Sequence, residues 1–489
     1  MTMTFDDLLP LLPLLIVSTT AVLLMLQIGI RRSHGLTVAI TVIGLLLASV
    51  AATLLSATNQ QVTPLLIIDQ YSLFFTVICA LAAMFISILS FPYLAQLDDD
   101  KEEYYLLLTV ATIGAIVMIS SNHFVSTILG LETLSMSLYG MVAYPLHSKA
   151  SAKYPLEASV KYLVLSAVSS SFMLFGMALI YAQTGTLSFS SLTAPGVDTA
   201  VSLSDGYSIV ALLLLSSGMA FKLSLAPFHM WTPDVYEGSP LPATAYLATV
   251  GKAAMFVVLL RFVVRSDALQ FDAVIAVFSI IAALSILAGN VLALLQDNLK
   301  RILAYSSIAH MGYLLIAVIA TFVAESTISV EAVTFYLLAY VIMSLGAFGV
   351  ASVLSSSAQE LDEISDYEGL FWRNPWLALI FTGMLLSLAG IPLTVGFIGK
   401  FYLFFAGVES ALWALLLVLV IGSGIGLYFY LRIVYCMLLP VPATSESRVA
   451  AVVSLSSYGV LTILLLLLFI LGVYPAAVMS LVETAAALI

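Results

Sequence analysis

Five charged side chains, Glu132, Lys161, Lys222, Lys252 and Lys400, lie in or at the edge of long apolar runs. A charge at the centre of a membrane-spanning helix costs roughly 2.5–3.5 kcal/mol on insertion scales, so such groups are expected to face one another or water. The chemistry open to them is proton exchange. Lysine has an ordinary pKa of about 10.4. Desolvation and nearby positive charge lower it, and an approaching carboxylate raises it. A lysine that alternates between a carboxylate and another lysine therefore loads and releases a proton as charge moves. Snorkelling to an interface is the competing explanation. It suits Lys161, near a helix end, better than Lys222, Lys252 or Lys400. Glu157 precedes Lys161 by four residues, the favourable order for an ion pair on one helix face. That pair is either a surface contact or the mouth of a proton path. His229 and His310 are further relay candidates, because imidazole titrates near neutrality.

The elements that hold these groups are membrane helices. Of 489 residues, 62% are hydrophobic and 9% charged, against about a quarter charged in a soluble domain. Cys79 and Cys436 are the only cysteines, too few for an iron–sulfur cluster with about four thiolates. They read as small buried packers. No nucleotide, flavin or metal signature appears. Gly396-Phe-Ile-Gly399-Lys400 is too short for a phosphate-binding loop. Lipid is an expected partner and nucleic acid is not. The net charge of −11 is traced largely to acidic clusters, 98–103 and 360–368, read as solvated loops. The N-terminus lacks a cationic leader and reads as the approach to the first span.

Apolar runs of about 20 residues fit a hydrocarbon core of about 30 Å, and their backbone groups must be satisfied internally, which makes them helices. The runs are 9–30, 36–57, 72–94, 104–120, 123–145, 156–183, 207–230, 240–264, 271–296, 301–323, 329–354, 375–408, 411–438 and 452–482. The expected fold is an all-α polytopic membrane protein of about fourteen transmembrane helices. The seventh run carries Ser224-Leu-Ala-Pro227 and then Pro233. The twelfth carries Ser387-Leu-Ala-Gly390-Ile-Pro392 and then Gly396 and Gly399. Proline removes a helical hydrogen bond, and paired broken helices point to inverted-repeat transport folds. Two inverted five-helix repeats, each with a broken helix, are therefore expected at 104–264 and 271–438. An N-terminal three-helix segment (1–103) would precede them and a C-terminal helix (439–489) follow. Arg31, Arg32, Lys101, Lys149, Lys153, Lys300, Arg301, Arg373 and Arg448 fall after odd-numbered runs, while Arg261 and Arg265 lie near an even loop. That bias places the odd loops in the cytoplasm and both termini outside.

Three stretches carry a resemblance. They are Gly218-Met-Ala-Phe-Lys222-Leu-Ser-Leu-Ala-Pro227-Phe-His229-Met-Trp231-Thr-Pro-Asp234-Val-Tyr236, Lys300-Arg301-Ile-Leu-Ala-Tyr305-Ser306-Ser307-Ile-Ala-His310-Met-Gly312-Tyr313, and Ser387-Leu-Ala-Gly390-Ile-Pro392-Leu-Thr-Val-Gly396-Phe-Ile-Gly399-Lys400-Phe. They resemble the signatures of the antiporter-like subunits of respiratory complex I, the proton-pumping NADH:quinone oxidoreductase. The similarity covers nearly the whole chain. Pro155-Leu-Glu157-Ala-Ser-Val-Lys161-Tyr and Tyr367-Glu-Gly369-Leu are most similar to the branch related to mitochondrial subunit 2. Ending after span fourteen argues against the largest antiporter-like subunit, and Lys400 against the middle one. The resemblance implies a proton-translocating subunit in a bacterial inner membrane, beside other antiporter-like subunits. It implies a span-five carboxylate at Glu132, a broken-helix lysine at Lys222, a central lysine at Lys252, an exit-side residue at Lys400 and a span-six charge at Lys161. No cofactor is expected in this chain; NADH, flavin, iron–sulfur clusters and quinone are expected in partner subunits. A stand-alone cation/proton antiporter and a non-pumping membrane scaffold are the alternative readings.

Overall fold

The order of apolar runs dictates a bundle, and the computed structural model of the chain is one. It describes residues 8–55, 60–95, 97, 100–144, 153–189, 206–266, 272–324, 327–356, 360–440 and 453–487. The basic residues Lys149 and Arg448 and the acidic pair Asp98 and Asp99 lie outside them.

The first three spans are α1 (Leu12–Ile30), α2 (His34–Leu54) and α3 (Gln70–Ala95). The next five comprise α4 (Glu102–Ile119), α5 (Phe124–Ala143), α6 (Lys153–Thr184), the split pair α7 (Gly206–Lys222) and α8 (Trp231–Gly238), and α9 (Leu241–Ser266). Then come α10 (Asp272–Leu294), α11 (Leu299–Ala324), α12 (Thr327–Leu354), the split pair α13 (Pro375–Ala389) and α14 (Val395–Glu409), and α15 (Trp413–Leu438). The chain closes with α16 (Leu455–Val473) and α17 (Ala476–Ala486). Among the described residues, twelve helices are long and apolar enough to cross a membrane. The two split pairs bring the crossings to the expected fourteen.

The most extensive pairings are α10 on α11 and α4 on α5. Helices α9, α11 and α12 are almost wholly buried, whereas α1, α6, α10 and α15 leave broad apolar faces exposed. The charged helix α9 thus runs through the middle of the bundle.

Several boundaries differ from expectation. The seventh run extends past Met230, because α8 continues the crossing to Gly238. Pro233 does not disrupt it: it sits in the first turn of α8, where its missing N–H would have no intrahelical partner anyway. Gly396 and Gly399 are likewise inside a regular helix, α14. The last run is two helices that meet at Pro475. One feature had no sequence signal: residues Leu247–Gly251 of α9 wind as a π-helix, ending one residue before Lys252.

Four residues read as solvated or near loops are interior. Arg261 is fully buried and pairs with equally buried Asp69 at 2.8 Å. Lys300 is 2% exposed and pairs with Glu360 at 2.5 Å. Glu360, in the supposedly solvated 360–368 cluster, is therefore an interior partner. Glu102 is buried beside Arg32 at 3.8 Å. The partners lie far apart in sequence, so local hydropathy gave no hint of them.

Candidate functional site

Both helix breaks are built from backbone that must find partners off the helix axis. At the end of α7, Ser224 adopts φ 62°, a left-handed conformation uncommon outside glycine. The Ser224 amide returns to the Phe221 carbonyl at 2.9 Å and the Leu225 amide to that of Ala220 at 2.8 Å. The Ala226 amide donates to Ser285 Oγ of α10 at 2.8 Å. The Trp231 indole reaches back to the Phe221 carbonyl at 3.0 Å, stapling α8 to α7. In the second break Gly390 takes φ 88° and Leu393 φ 74°. Gly390 closes α13 with amide bonds to Leu386 and Ser387 carbonyls, the αL cap that glycine adopts without a Cβ penalty. At Gly396 a Cβ would lie 2.0 Å from the Ser387 carbonyl oxygen, so only glycine lets α14 start there.

Around the first break, Lys222 is buried and its ammonium donates to Ser135 Oγ of α5 at 2.9 Å and Ser166 Oγ of α6 at 2.5 Å. Tyr139 OH also donates to Ser166 at 2.7 Å. Glu132, one turn before Ser135, accepts from Ser170 Oγ at 2.6 Å. Glu132 and Lys222 are thus not in direct contact. Each is held by a serine of α6, and Ser166 and Ser170 are four apart, hence on one face.

Lys252 is 1% exposed. Its ammonium donates to Ser307 Oγ of α11 at 2.6 Å and lies 5.7 Å from the Tyr236 ring centroid. Ser307 shares a hydrogen bond with Tyr340 OH at 2.6 Å. Three residues on, His310 Nδ1 meets Tyr336 OH at 2.6 Å and Nε2 meets Tyr430 OH at 3.3 Å. Tyr430 also bonds Ser306. Tyr313, edge-on to His310, carries the Lys400 ammonium 5.3 Å from its ring centroid. Lys400 donates to the Leu388 and Ala389 carbonyls at 3.0 and 2.8 Å and to Ser423 Oγ at 3.0 Å. The carbonyl end of α13 thus faces the ammonium, the favourable dipole arrangement.

The structure brings Glu132 and Lys222 into one polar cluster, and Lys252, His310 and Lys400 into another along one face of α11. His229 is buried in the first break, and neither ring nitrogen has a well-formed hydrogen bond. Lys161 stands apart: it is 44% exposed and pairs with Glu157 at 2.9 Å and Asp234 at 3.4 Å. Arg301 joins this surface group through Asp234 and Glu237. Among the described residues, no cluster of three or more His, Cys, Asp or Glu could hold a metal ion. The hydroxyls of Ser135, Ser166, Ser170, Ser307, Tyr340 and Ser423 were missed by the sequence reading. Their signal was placement one or two turns from a charge or on the facing helix.

Residues 121–426, which include Glu132, Lys222, Lys252, His310 and Lys400, match the family described as NADH:quinone oxidoreductase/Mrp antiporter, transmembrane. The chain belongs to this family. Within the NADH:quinone oxidoreductase/Mrp antiporter family it is 48% identical, over 90% of its length and 88% of the relative's, to NADH-quinone oxidoreductase subunit N of Methylococcus capsulatus. It is similar to a chain in the structure of respiratory complex I from Thermus thermophilus with bound aureothin, at 32% identity and a TM-score of 0.81, covering 96% of this chain and 98% of that one. A chain of the Mrp complex from Dietzia shares the fold, with a TM-score of 0.84 at 21% identity over 99% and 97% of the two chains.

Proposed function

We propose that this chain is a proton-translocating, non-redox membrane subunit of a bacterial NADH:quinone oxidoreductase. Its relatives support the assembly: the Methylococcus protein bears that enzyme's name and the Thermus structure is a respiratory complex I. The observation that carries the translocation reading is the pair of buried clusters, Glu132–Lys222 and Lys252–His310–Lys400, each stitched by hydroxyl hydrogen bonds.

The geometry supports a switch. Glu132 and Lys222 are held apart by serines, so a small side-chain movement brings carboxylate and ammonium together or separates them. Together, they favour the charged lysine; apart, its proton is easier to release. Lys252 occupies the centre of the bundle, where charge arriving from the Lys222 side is felt through low-dielectric surroundings. Ser307 and His310 of α11, with Tyr340 of α12 and Tyr430 of α15 facing them, supply hydroxyl and imidazole groups that donate and accept protons. Lys400 ends the row against the second break. Moving one charge across the membrane requires about 2.3 kcal/mol per 100 mV. A pKa excursion of about two units supplies about 2.7 kcal/mol, so the switch has adequate size. NADH, flavin, iron–sulfur clusters and quinone belong, in this reading, to partner subunits. The odd loops face the cytoplasm and both termini face outward, as the basic residues suggest.

The test is NADH-driven proton translocation in membrane vesicles carrying the assembled complex. Lys252→Met should lower it about tenfold or more, the effect of roughly 1.4 kcal/mol or more, with the amount of assembled complex unchanged. Wild-type translocation by that variant would end the proposal. Sodium-for-proton exchange by the purified chain without partners would support an antiporter instead.

A further inference from the structure

The Lys252 helix and the Ser307 helix meet at one polar vertex remote from Lys252, and nothing in the relay reading uses it. Glu360 lies in the loop between α12 and α13, with its side chain 17% exposed. One carboxylate oxygen, Oε1, accepts from the Leu241 amide at 3.0 Å, in the first turn of α9. It also accepts from Tyr93 OH near the end of α3. The other, Oε2, receives the Lys300 ammonium at 2.5 Å, in the first turn of α11. Lys300 additionally reaches Asp362 at 3.1 Å and the Ser239 carbonyl at 3.3 Å. The loop itself is pinned to the entrance of α11: the Leu299 amide donates to the Asp362 carbonyl at 2.6 Å and the Ile364 amide to the Asp297 carbonyl at 3.0 Å.

We infer that Glu360 is a positioning residue for Lys252: by binding the first turns of α9 and α11 at once, it sets the register between the two helices that makes the Lys252–Ser307 hydrogen bond. Lys300 and Ser307 are seven residues apart, about two turns, and so project from the same side of α11. Leu241 and Lys252 are eleven apart on the one continuous helix α9, with the π-turn Leu247–Gly251 between them setting their relative azimuth. A slip at the vertex is therefore carried along two stiff helices to the 2.6 Å contact. A carboxylate suits the place. It accepts on two oxygens at once, satisfies an orphan amide at a helix start and neutralises a buried ammonium. This inference rests on the proposed role of Lys252.

The test measures NADH-driven proton translocation per assembled complex in membrane vesicles. Glu360→Gln keeps an acceptor for Leu241 but opposes an amide N–H₂ to the Lys300 ammonium. Translocation should fall about fivefold, the worth of one hydrogen bond. Adding Lys300→Met to Glu360→Gln removes that opposition, keeps the acceptor, and should restore translocation to within about twofold. Glu360→Ala with Lys300→Met leaves the Leu241 amide without its partner and should stay low. Should Glu360→Gln yield no assembled complex, Glu360→Asp, one methylene too short to hold both helices, is read instead and should be low as well. Wild-type translocation by Glu360→Gln, or by Glu360→Asp where it is the variant read, overturns the inference. Failure of Lys300→Met to rescue Glu360→Gln also overturns it, because the charge itself would then matter. Lys252→Met is run alongside. If it pumps normally, the relay reading has failed; if it does not pump while the Glu360 series is indifferent, only the positioning role has failed.

Discussion

The two broken helices hold their lysines in opposite ways. Lys222 is the last residue before its break, and its ammonium reaches sideways to hydroxyls on α5 and α6, one turn from a carboxylate on α5. Lys400 follows its break, and its ammonium folds back onto the carbonyl end of the helix before it. The first lysine lies near an ionisable carboxylate, the second against backbone dipoles at the break itself. In the proposed relay, a signal arriving as charge is therefore received at the first site, whereas at the second it acts through helix position.

The largest effect belongs to the carboxylate. Glu132→Gln should lower NADH-driven proton translocation about tenfold or more, corresponding to roughly 1.4 kcal/mol or more of lost charge interaction. A response at Lys400→Met with none at Glu132→Gln would reverse the assignment of the two sites.

Next come the backbones of the breaks. Gly390→Ala forces a side chain into φ 88° and sets its Cβ 2.9 Å from Lys400 Cδ. It should cost about 1–2 kcal/mol, read as a lower melting temperature and a several-fold loss of translocation. Ser224→Gly relieves the corresponding conformation at φ 62° and should leave stability unchanged or raised. Opposite signs would show that the breaks are held alike by left-handed backbone, whereas a loss of stability from both would show that the Ser224 side chain holds the first break in another way.

Hydroxyl removal should separate the sites more finely. Ser166→Ala takes from Lys222 one of two acceptors and from Tyr139 its partner. About fivefold loss is expected, from roughly 1 kcal/mol. Ser423→Ala leaves Lys400 both carbonyls, so translocation should drop by no more than about twofold.

The smallest effect concerns the caps of α5 and α11. His123 Nδ1 accepts from the Val125 amide at 3.1 Å at the start of α5. Asn298 Oδ1 accepts from the Arg301 amide at 3.0 Å at the start of α11. Burial holds the His123 imidazole below its ordinary pKa of 6.5, so folding favours the neutral, capping form. A depressed folded-state pKa contributes stability that is present above pH 6.5 and lost as pH falls below it. His123→Asn caps without titrating. Its melting temperature should change less than wild type's between pH 7.5 and pH 5.5.

The sequence disclosed the parts of this arrangement that break local rules. Lys222, Lys252 and Lys400 are conspicuous because charge in an apolar run is expensive, and the breaks because Pro227, Gly390 and Pro392 interrupt helical hydrogen bonding. What stayed hidden obeys those rules. Ser166 and Ser307 are ordinary residues in membrane helices, and only the facing ammonium gives them a role. Arg261 and Lys300 sit near run ends, where basic residues commonly face water. Their burial depends on Asp69 and Glu360, brought from distant loop segments by the tertiary fold. Lys161 was the reverse case: a suspicious position that proves half-exposed beside Glu157 and Asp234.

The wide turn at Leu247–Gly251 has a consequence for the whole central helix. A π-turn accommodates one residue more than an α-turn, and one residue corresponds to about 100° of azimuth. Deleting a single residue there would close the turn to α geometry with both ends in place, whereas forcing it into α geometry at unchanged length would rotate one half of the helix against the other by about 100° and swing the Lys252 amine away from Ser307. The five residues before the lysine thus act as its angular vernier.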